Sequence, residues 1–258
     1  MPTVSLNISA IPAFSDNYIW MIDNGGKSCA VIDPGEAEPV LDILQQKGLE
    51  LTHILLTHHH HDHIGGVKEL LEHYDANVFG PADDRIPFQQ QVCHEGDMVD
   101  LAGLDVQFSV LEVPAHTRSH IAFVADSILF CGDTLFSLGC GRFFEGTATD
   151  MQKSLDKLAA LPAGTQVYCA HEYTQANCAF ALAVEPNNNA LQTRSREIEQ
   201  LRAIGKPTVP SRLGDELDAN PFLRTRVDSV VQAARKIDPQ ATAGASTMAV
   251  IRAWKDRF

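Results

Sequence analysis

Several features that mark membrane, exported or disulfide-bonded proteins are missing from this sequence of 258 residues. No uninterrupted apolar run approaches the roughly 20 residues of a membrane-spanning helix, so we expect no membrane partner. Residues 1–5 contain neither a basic nor an apolar segment, which argues against an export signal. None of the six cysteines is paired in a C-x-x-C motif, and in an unexported chain such cysteines are expected to be reduced thiols. These absences predict a cytoplasmic protein.

The sequence also lacks the excess of basic residues that general nucleic-acid binding requires, because its formal net charge is -13. The charge is unevenly placed: 12 of the 20 Lys and Arg residues lie beyond residue 190, against eight acids there. Most of these cations are expected to be solvated on a helical surface. A few of them could form a pocket for an anionic substrate, so we expect the partner to be a small molecule. We also expect the chain to be a monomer.

The most unusual stretch is Thr57–His63, which reads Thr-His-His-His-His-Asp-His. It follows an apolar segment at 51–56 and precedes a helix-like segment at 68–74, so it lies where a strand ends and a helix begins. In layered α/β proteins, ligands gather at these carboxyl ends of strands. An expression tag would lie at a terminus and would not be interrupted by aspartate. We therefore interpret the stretch as a metal-binding motif.

Side chains alternate along an extended loop, and this alternation divides the histidine run into two faces. The inward face is predicted to have the pattern H-x-H-x-D-H, made by His58, His60 and Asp62. His63 follows as the residue that opens the next helix. The other two histidines, His59 and His61, are expected to face away from the metal.

A potential metal ligand follows an apolar strand at four points in the chain: at His58, His116, Asp133 and His171. A single histidine at a strand end is more often a hydrogen-bonded bystander than a ligand. Four strand ends whose side chains complete two coordination spheres are harder to explain as bystanders. The pattern therefore predicts a centre for two metal ions.

The seven candidate ligands divide into two sets that share one carboxylate. One ion is expected on His58, His60 and His116. The second is expected on Asp62, His63 and His171, with Asp133 bridging both. Mixed imidazole and carboxylate ligation suits zinc, iron or manganese, and we expect two divalent ions per chain, with zinc as the first choice. Such a pair makes hydroxide available near neutral pH, which gives Asp62 and Asp133 a catalytic role.

The organisation of the chain changes near residue 173. Strand and helix signals alternate before it, whereas beyond it helical patterns dominate, at 174–184, 189–204, 227–236 and 246–258. Asp150 is predicted to be the N-cap of a helix that runs to residue 161. We therefore predict an α/β metal-binding domain at 1–173 and a smaller helical, substrate-binding domain at 174–258.

Beyond these patterns, the chain resembles the glyoxalase II family, the hydroxyacylglutathione hydrolases of the metallo-β-lactamase superfamily. The superfamily signature T-H-x-H-x-D-H is matched by Thr57–His63. The more specific blocks are IPAFSDNY at 11–18, CGDTLF at 131–136, GCGRFFEG at 139–146, HEYT at 171–174, PTVPS at 207–211, NPF at 220–222 and RAWKD at 252–256. These blocks extend over nearly the whole chain.

The resemblance implies an αββα metallo-β-lactamase sandwich followed by a C-terminal α-helical domain that helps to bind glutathione. It implies hydrolysis of S-D-lactoylglutathione to D-lactate and glutathione, a step of methylglyoxal degradation. The seven ligands match the family pattern position by position. The family's glutathione contacts correspond to Arg142, Phe144, Tyr173, Arg252 and Lys255.

The chain departs from the family pattern at three positions. Phe144 replaces the usual tyrosine and so lacks a phenol. In the loop around His116, the usual G-H-T-x-G-H reads A-H-T-R-S-H, with Ala115 and Ser119 in place of glycines. His120 is expected to be a supporting or solvated residue rather than a ligand.

Two alternative functions belong to other classes. A persulfide dioxygenase of the same superfamily uses a single iron, and the complete second set of ligands together with the basic carboxyl-terminal part favours the hydrolase. A non-catalytic metal-binding module would not require a second domain with cations. Counting metals per chain and assaying thioester hydrolysis separates these alternatives.

Overall fold

A computed structural model describes residues 6–88 and 91–258 of the chain. Its strands are β1 Asn7–Ala13, β2 Asn17–Asp23, β3 Ser28–Ile32, β4 Glu50–Leu55, β5 Asn77–Pro81, β6 Gln91–Cys93, β7 Met98–Leu101, β8 Val106–Glu112, β9 Ile121–Ala125, β10 Ile128–Gly132, β11 Leu135–Phe136, β12 Gly139–Cys140, β13 Gln166–Cys169 and β14 Ser211–Arg212.

Its helices are α1 Glu38–Lys47, α2 His61–Ile64, α3 Val67–His73, α4 Ala148–Ala159, α5 Thr174–Val184, α6 Asn189–Ala203, α7 Leu213–Ala219, α8 Asp228–Arg235 and α9 Ala245–Lys255. In the described part of the chain, no helix is long and apolar enough to cross a membrane. All six cysteines lie within that part and are free, buried thiols.

The chain forms two compact units. The first comprises the described residues up to Glu112 together with Ser119–Gly132, and the second comprises Val113–Arg118 and Asp133–Phe258. These two units are not divided at residue 173, and the domain boundary predicted there remains a prediction. The second unit contains β11–β14 and α4–α9.

The first unit is built from two sheets. One has the strand order β1-β2-β3-β4-β5-β6, antiparallel at β1–β3 and parallel from β3 to β6. The other contains β10-β9-β8-β7, all antiparallel. The parallel strands β3, β4 and β5 end at the same edge, so the loops after β3 and β4 lie side by side.

Both faces of the first sheet are buried, as its apolar sequence requires. Cys29 and Val31 of β3 pack with Val40 and Leu44 of α1 and with α3 in one apolar core. The alternate residues of the strand, Ala30 and Ile32, are also fully buried and must face the opposite side. Helices therefore cover one face of this sheet, while the other face is also closed to solvent.

The second unit is mainly helical. Ala181 of α5, Leu191 and Ile198 of α6, and Ala219 of α7 form one buried apolar cluster. A second cluster is aromatic: the ring of Phe180 lies 6.0 Å from that of Phe222 and 5.2 Å from that of Trp254. The helical character that the sequence predicts beyond residue 173 is confirmed.

The helix predicted at 174–184 coincides with α5. The predicted N-cap Asp150 is wrong. Helix α4 begins at Ala148, its N-cap is Thr147, and Asp150 is the third helical residue of a reciprocal capping box. The side chain of Thr147 accepts the Asp150 N–H, while the Asp150 carboxylate accepts the Thr147 N–H. The Thr147 hydroxyl also donates to the Asp150 carboxylate at 2.7 Å, and this bond, followed by the one from the Thr147 N–H, holds the pKa of Asp150 below its usual value.

Candidate metal centre

The histidine run lies at the end of the buried parallel strand β4. Leu56 and Thr57 continue the strand direction and are fully buried, and His58 follows them, also buried. The register of β3 with β4 pairs Ile32 with Leu55, so Asp33 lies beside the start of the run. The sequence thus delivers the histidines to the carboxyl edge of the sheet, as predicted.

The first two predicted ligands lie together. Nε2 of His58 is 3.1 Å from Nδ1 of His60. His59 lies on another side, with its Nδ1 at 3.5 Å from the Asp83 carboxylate, and His61 is exposed. These contacts place His58 and His60 together and His59 and His61 apart from them, and the assignment of the first pair to a metal stays a prediction.

The alternation does not extend to Asp62, because the extended segment ends at His60. His60 is the N-cap of α2, which begins at His61. The first turn of this helix presents Asp62 and His63 together, with Oδ2 of Asp62 at 3.4 Å from Nε2 of His63. The sequence argument reached the correct neighbours, but a helical turn brings them together.

A buried carboxylate that the sequence argument missed supports this cluster. Asp33 accepts the Thr57 N–H and the Thr57 hydroxyl, each at 2.7 Å, and its Oδ2 lies 3.0 Å from Nδ1 of His63. Asp33 also has a left-handed backbone, with φ at 53°, an uncommon conformation for a non-glycine residue. The available signal was an aspartate ending the strand next to the histidine strand.

These bonds fix the protons on two imidazoles. Thr57 uses its hydroxyl hydrogen for Asp33, so at 3.0 Å its oxygen accepts from Nδ1 of His58. His63 likewise donates its Nδ1 hydrogen to Asp33. In both rings the Nε2 lone pair then points into the cluster, which is the tautomer that metal ligation needs.

Two close approaches in this unit require glycine. A Cβ at Gly35 would lie 2.0 Å from the carbonyl oxygen of Asp62. A Cβ at Gly132 would lie 2.3 Å from the Thr57 hydroxyl and 2.9 Å from the ring of His120. His120 is fully buried, and its ring stacks on that of His58 with the centroids 4.6 Å apart.

In the second unit, Asp133 lies between two imidazoles. One oxygen is 3.4 Å from Nε2 of His116 and the other is 3.3 Å from Nε2 of His171. His116 donates its Nδ1 hydrogen to the carbonyl oxygen of Arg142 at 3.1 Å, which leaves its Nε2 lone pair toward Asp133. The two carboxylate oxygens thus face different histidines, the arrangement that a bridging ligand needs.

The donor atoms fit metal ions of the predicted kind. Two atoms that each lie about 2.1 Å from one tetrahedral ion are about 3.4 Å apart. The ligand-atom separations given above range from 3.1 to 3.4 Å. Nitrogen and carboxylate oxygen are also the donors that zinc and iron accept in proteins.

Two aromatic residues predicted to contact the substrate lie against histidines of the second unit. The Tyr173 ring stacks on that of His171, with centroids 4.6 Å apart and planes 6° apart. The Phe144 ring meets that of His116 edge-on at 5.2 Å. Phe144 and Tyr173 are 60% and 39% exposed, so both residues are partly accessible to solvent.

The predicted substrate cations form a cluster around Asp256 at the end of α9. Asp256 lies 3.4 Å from Nε of Arg142 and 3.0 Å from a guanidinium nitrogen of Arg252. Lys255 donates to the carbonyl oxygen of Ala176 at 3.3 Å. Burial, and then repulsion from Arg252, lower the pKa of Lys255, although Asp256 opposes the shift.

The members of this cluster differ in burial. Arg252 is only 7% exposed, and it donates at 2.9 Å to the carbonyl oxygen of Cys140. Arg142 has a side chain that is 62% exposed. Arg252 is therefore bound within its own unit, whereas Arg142 and the half-buried Lys255 are accessible.

Of the three departures from the family pattern, two have a visible consequence. The Ser119 hydroxyl donates to Asp83 at 2.6 Å, a bond that glycine could not make. Ala115 has a φ of 155°, a backbone conformation that favours glycine.

Two known protein families match successive parts of the chain. Residues 14–171 match the metallo-β-lactamase superfamily, and residues 172–258 match the hydroxyacylglutathione hydrolase C-terminus. A protein from Aliivibrio salmonicida named hydroxyacylglutathione hydrolase is 53% identical over 255 residues, which cover 98% of this chain and 100% of the relative. The chain belongs to the hydroxyacylglutathione hydrolase family.

Solved structures agree on the fold of this family member. ETHE1 from Myxococcus xanthus is 24% identical, with a TM-score of 0.65 over 97% of this chain and 98% of the other. TTHA1623, solved in a di-iron-bound form, is 25% identical, with a TM-score of 0.60 over 84% of this chain and 100% of the other. The predicted metallo-β-lactamase sandwich with a C-terminal helical domain is confirmed.

Proposed function

We propose that this chain hydrolyses 2-hydroxyacylglutathione thioesters, with S-D-lactoylglutathione as the principal substrate and D-lactate and glutathione as products. The observation that carries the proposal is the placement of Asp133, whose two oxygens face two different imidazoles at 3.3 and 3.4 Å. The full-length identity of 53% to a protein named hydroxyacylglutathione hydrolase supports this activity over a persulfide dioxygenase or a non-catalytic metal module.

The proposal includes two divalent ions per chain. His58, His60 and His116 would hold one ion, and Asp62, His63 and His171 the other, with Asp133 shared. Zinc is the first choice, and the di-iron form of TTHA1623 supports iron as an alternative, beside manganese. When bound, such ions supply hydroxide at neutral pH.

The chain's own residues have two further roles in this proposal. Asp62 and Asp133 provide the carboxylates of the centre. Tyr173 and Phe144 offer exposed ring faces beside His171 and His116, where they would flank the thioester. No protein acid is required for the leaving group, because a thiol with a pKa near 8.5 leaves readily as a thiolate.

Accessible cations would bind the carboxylates of glutathione. Arg142 and Lys255 are the strongest candidates, because their charged groups reach the surface around Asp256. Burial, and then repulsion from Arg252, lower the pKa of Lys255, and a bound carboxylate would offset both by stabilising the charged form of the lysine. We assign Arg252 to the same cluster as the buried residue that organises it.

The proposed setting is a cytoplasmic monomer that binds neither nucleic acid nor membrane. Six free, buried cysteines support a reducing compartment. The net charge of -13 opposes nucleic-acid binding.

Ultraviolet absorbance of the thioester provides the test. Metal-loaded protein is expected to consume S-D-lactoylglutathione, and treatment with a chelator is expected to stop the reaction until metal is restored. Oxygen consumption with glutathione persulfide is the matched measurement for the alternative. Persulfide oxidation without thioester hydrolysis would overturn the proposal, as would hydrolysis that survives complete removal of metal.

A further inference from the structure

Asp62 is an exposed ligand on a fixed backbone. Its side chain is 40% exposed, whereas that of His63 beside it is 1% exposed. Its main chain cannot shift toward Gly35, since the two segments are already in close contact there. The orientation of the carboxylate therefore depends on the groups that contact it.

Asn17 provides such a group. It is the first residue of β2, it is paired with Ala13 of β1, and it is only 7% exposed. Its amide nitrogen lies 3.1 Å from Oδ2 of Asp62 and 3.4 Å from the carbonyl oxygen of the same residue. One buried amide thus contacts both the side chain and the backbone of Asp62.

The contacted oxygen is the one that would ligate the metal. Oδ2 of Asp62 accepts from Asn17 and also lies 3.4 Å from Nε2 of His63. A neutral amide can orient this carboxylate without neutralising it, whereas a lysine or arginine in the same place would compete with a metal cation. Asparagine is therefore suited to fix the rotamer while preserving the negative charge.

We propose that Asn17 is a positioning residue that holds Asp62 ready for the second metal ion. This inference rests on the proposed function, which makes Asp62 a ligand. It assigns a role to the β1–β2 turn, whose residues contribute no ligand themselves. Outer hydrogen bonds of this kind are worth about 10- to 100-fold in metal affinity.

The test is a chelator competition that measures the affinity of full-length protein for each zinc ion. Asn17→Ala is expected to lower the affinity for one of the two zinc ions by about 10- to 100-fold and to leave the affinity for the other unchanged. Asn7→Ala is the matched control, because Asn7 donates to the Asp23 carboxylate at 2.8 Å at the opposite end of the same strand pair. It is expected to bind both ions as the wild type does.

Asn17→Leu separates the hydrogen bond from packing, because it fills the space without offering a donor. It is expected to behave like Asn17→Ala. Wild-type zinc affinity in Asn17→Ala or Asn17→Leu, or an equal loss of affinity in Asn7→Ala, would overturn the inference. The proposed function would stand in that case, provided that the wild type binds two zinc ions. Fewer than two zinc ions on the wild type would overturn the proposed function and the premise of this inference with it.

Discussion

At the scale of single residues, proton placement decides which nitrogen of each histidine is available to a metal. Asp33 accepts the hydroxyl hydrogen of Thr57 and the Nδ1 hydrogen of His63, and the Thr57 oxygen in turn accepts from His58. The Arg142 carbonyl oxygen has the same effect on His116. Three rings therefore present Nε2 lone pairs before any ion binds, which lowers the cost of assembling the centre.

The orientation of His59 and His60 predicts different metal contents for their variants. His60→Gln is expected to lose bound metal, because the His60 ring faces His58 at 3.1 Å. His59→Gln is expected to retain the wild-type metal content, because its ring points to Asp83. Elemental analysis of the purified variants measures both. If His59→Gln emptied the site as completely as His60→Gln, the assignment of the two faces would be wrong.

Residue-level roles could be predicted from the sequence only where several signals coincide. The run at 57–63 combines spacing, residue type and a preceding strand, and the residues that it predicts to be neighbours, His58 with His60 and Asp62 with His63, lie together in the structure. Asp33 and Asn17 could not be identified in this way, because single Asp and Asn residues near turns have many ordinary uses. Their roles depend on contacts with residues 24, 30 and 45 positions away in the sequence.

At the scale of elements, helix α9 shows how burial separates two cations that the sequence treats alike. Arg252 and Lys255 are three residues apart, and both were predicted to contact the substrate. Arg252 is buried on the Cys140 carbonyl oxygen and over the Phe222 ring. Lys255 is half-buried, with its amino group 5.5 Å from the Phe180 ring centre.

This difference predicts different phenotypes. Lys255→Ala is expected to raise KM for the glutathione thioester by about tenfold with little change in kcat, because remote binding is equal in ground and transition states. Arg252→Ala is expected to lose about 1.5–3 kcal/mol of unfolding free energy, since it breaks buried hydrogen bonds to a charged group. Steady-state kinetics and denaturant unfolding measure the two effects. A stable Arg252→Ala protein altered only in KM would contradict the burial argument.

The lowered pKa of Lys255 predicts that KM for the glutathione thioester depends on pH. A lysine loses its charge above its pKa, and burial lowers this pKa below the usual value of 10.5. KM is therefore expected to rise on the alkaline side at a lower pH than an ordinary lysine would give. Lys255→Arg retains its charge and should move this rise to higher pH, while Lys255→Ala should remove it. A wild-type profile identical to that of Lys255→Arg would contradict this assignment.

Element boundaries also show what the sequence could not predict. An apolar segment predicted the strand before the histidine run, and helical periodicity predicted the long helices beyond residue 173, whereas the two-residue strands β11, β12 and β14 have no periodicity to detect. The start of α4 was misplaced because Thr147 and Asp150 are both good capping residues, and only the reciprocal bonds distinguish the cap from the third position.

At the scale of the whole molecule, the placement of acidic and basic residues explains how a strongly acidic chain can bind an anionic substrate. Several of its acids are proposed metal ligands or, like Asp33, support such ligands. The cations are concentrated beyond residue 190. The chain can therefore combine a net charge of -13 with local sites for glutathione carboxylates.

The most direct test of the two-metal hydrolase is to add zinc back to metal-free protein while measuring bound metal and S-D-lactoylglutathione hydrolysis together. The rate is expected to rise until two zinc ions are bound per chain and then to stay constant. Asp133→Ala, which lacks the shared carboxylate, is expected to bind less zinc and to lose nearly all hydrolysis. Full activity with one ion per chain, or full activity in Asp133→Ala, would contradict the account.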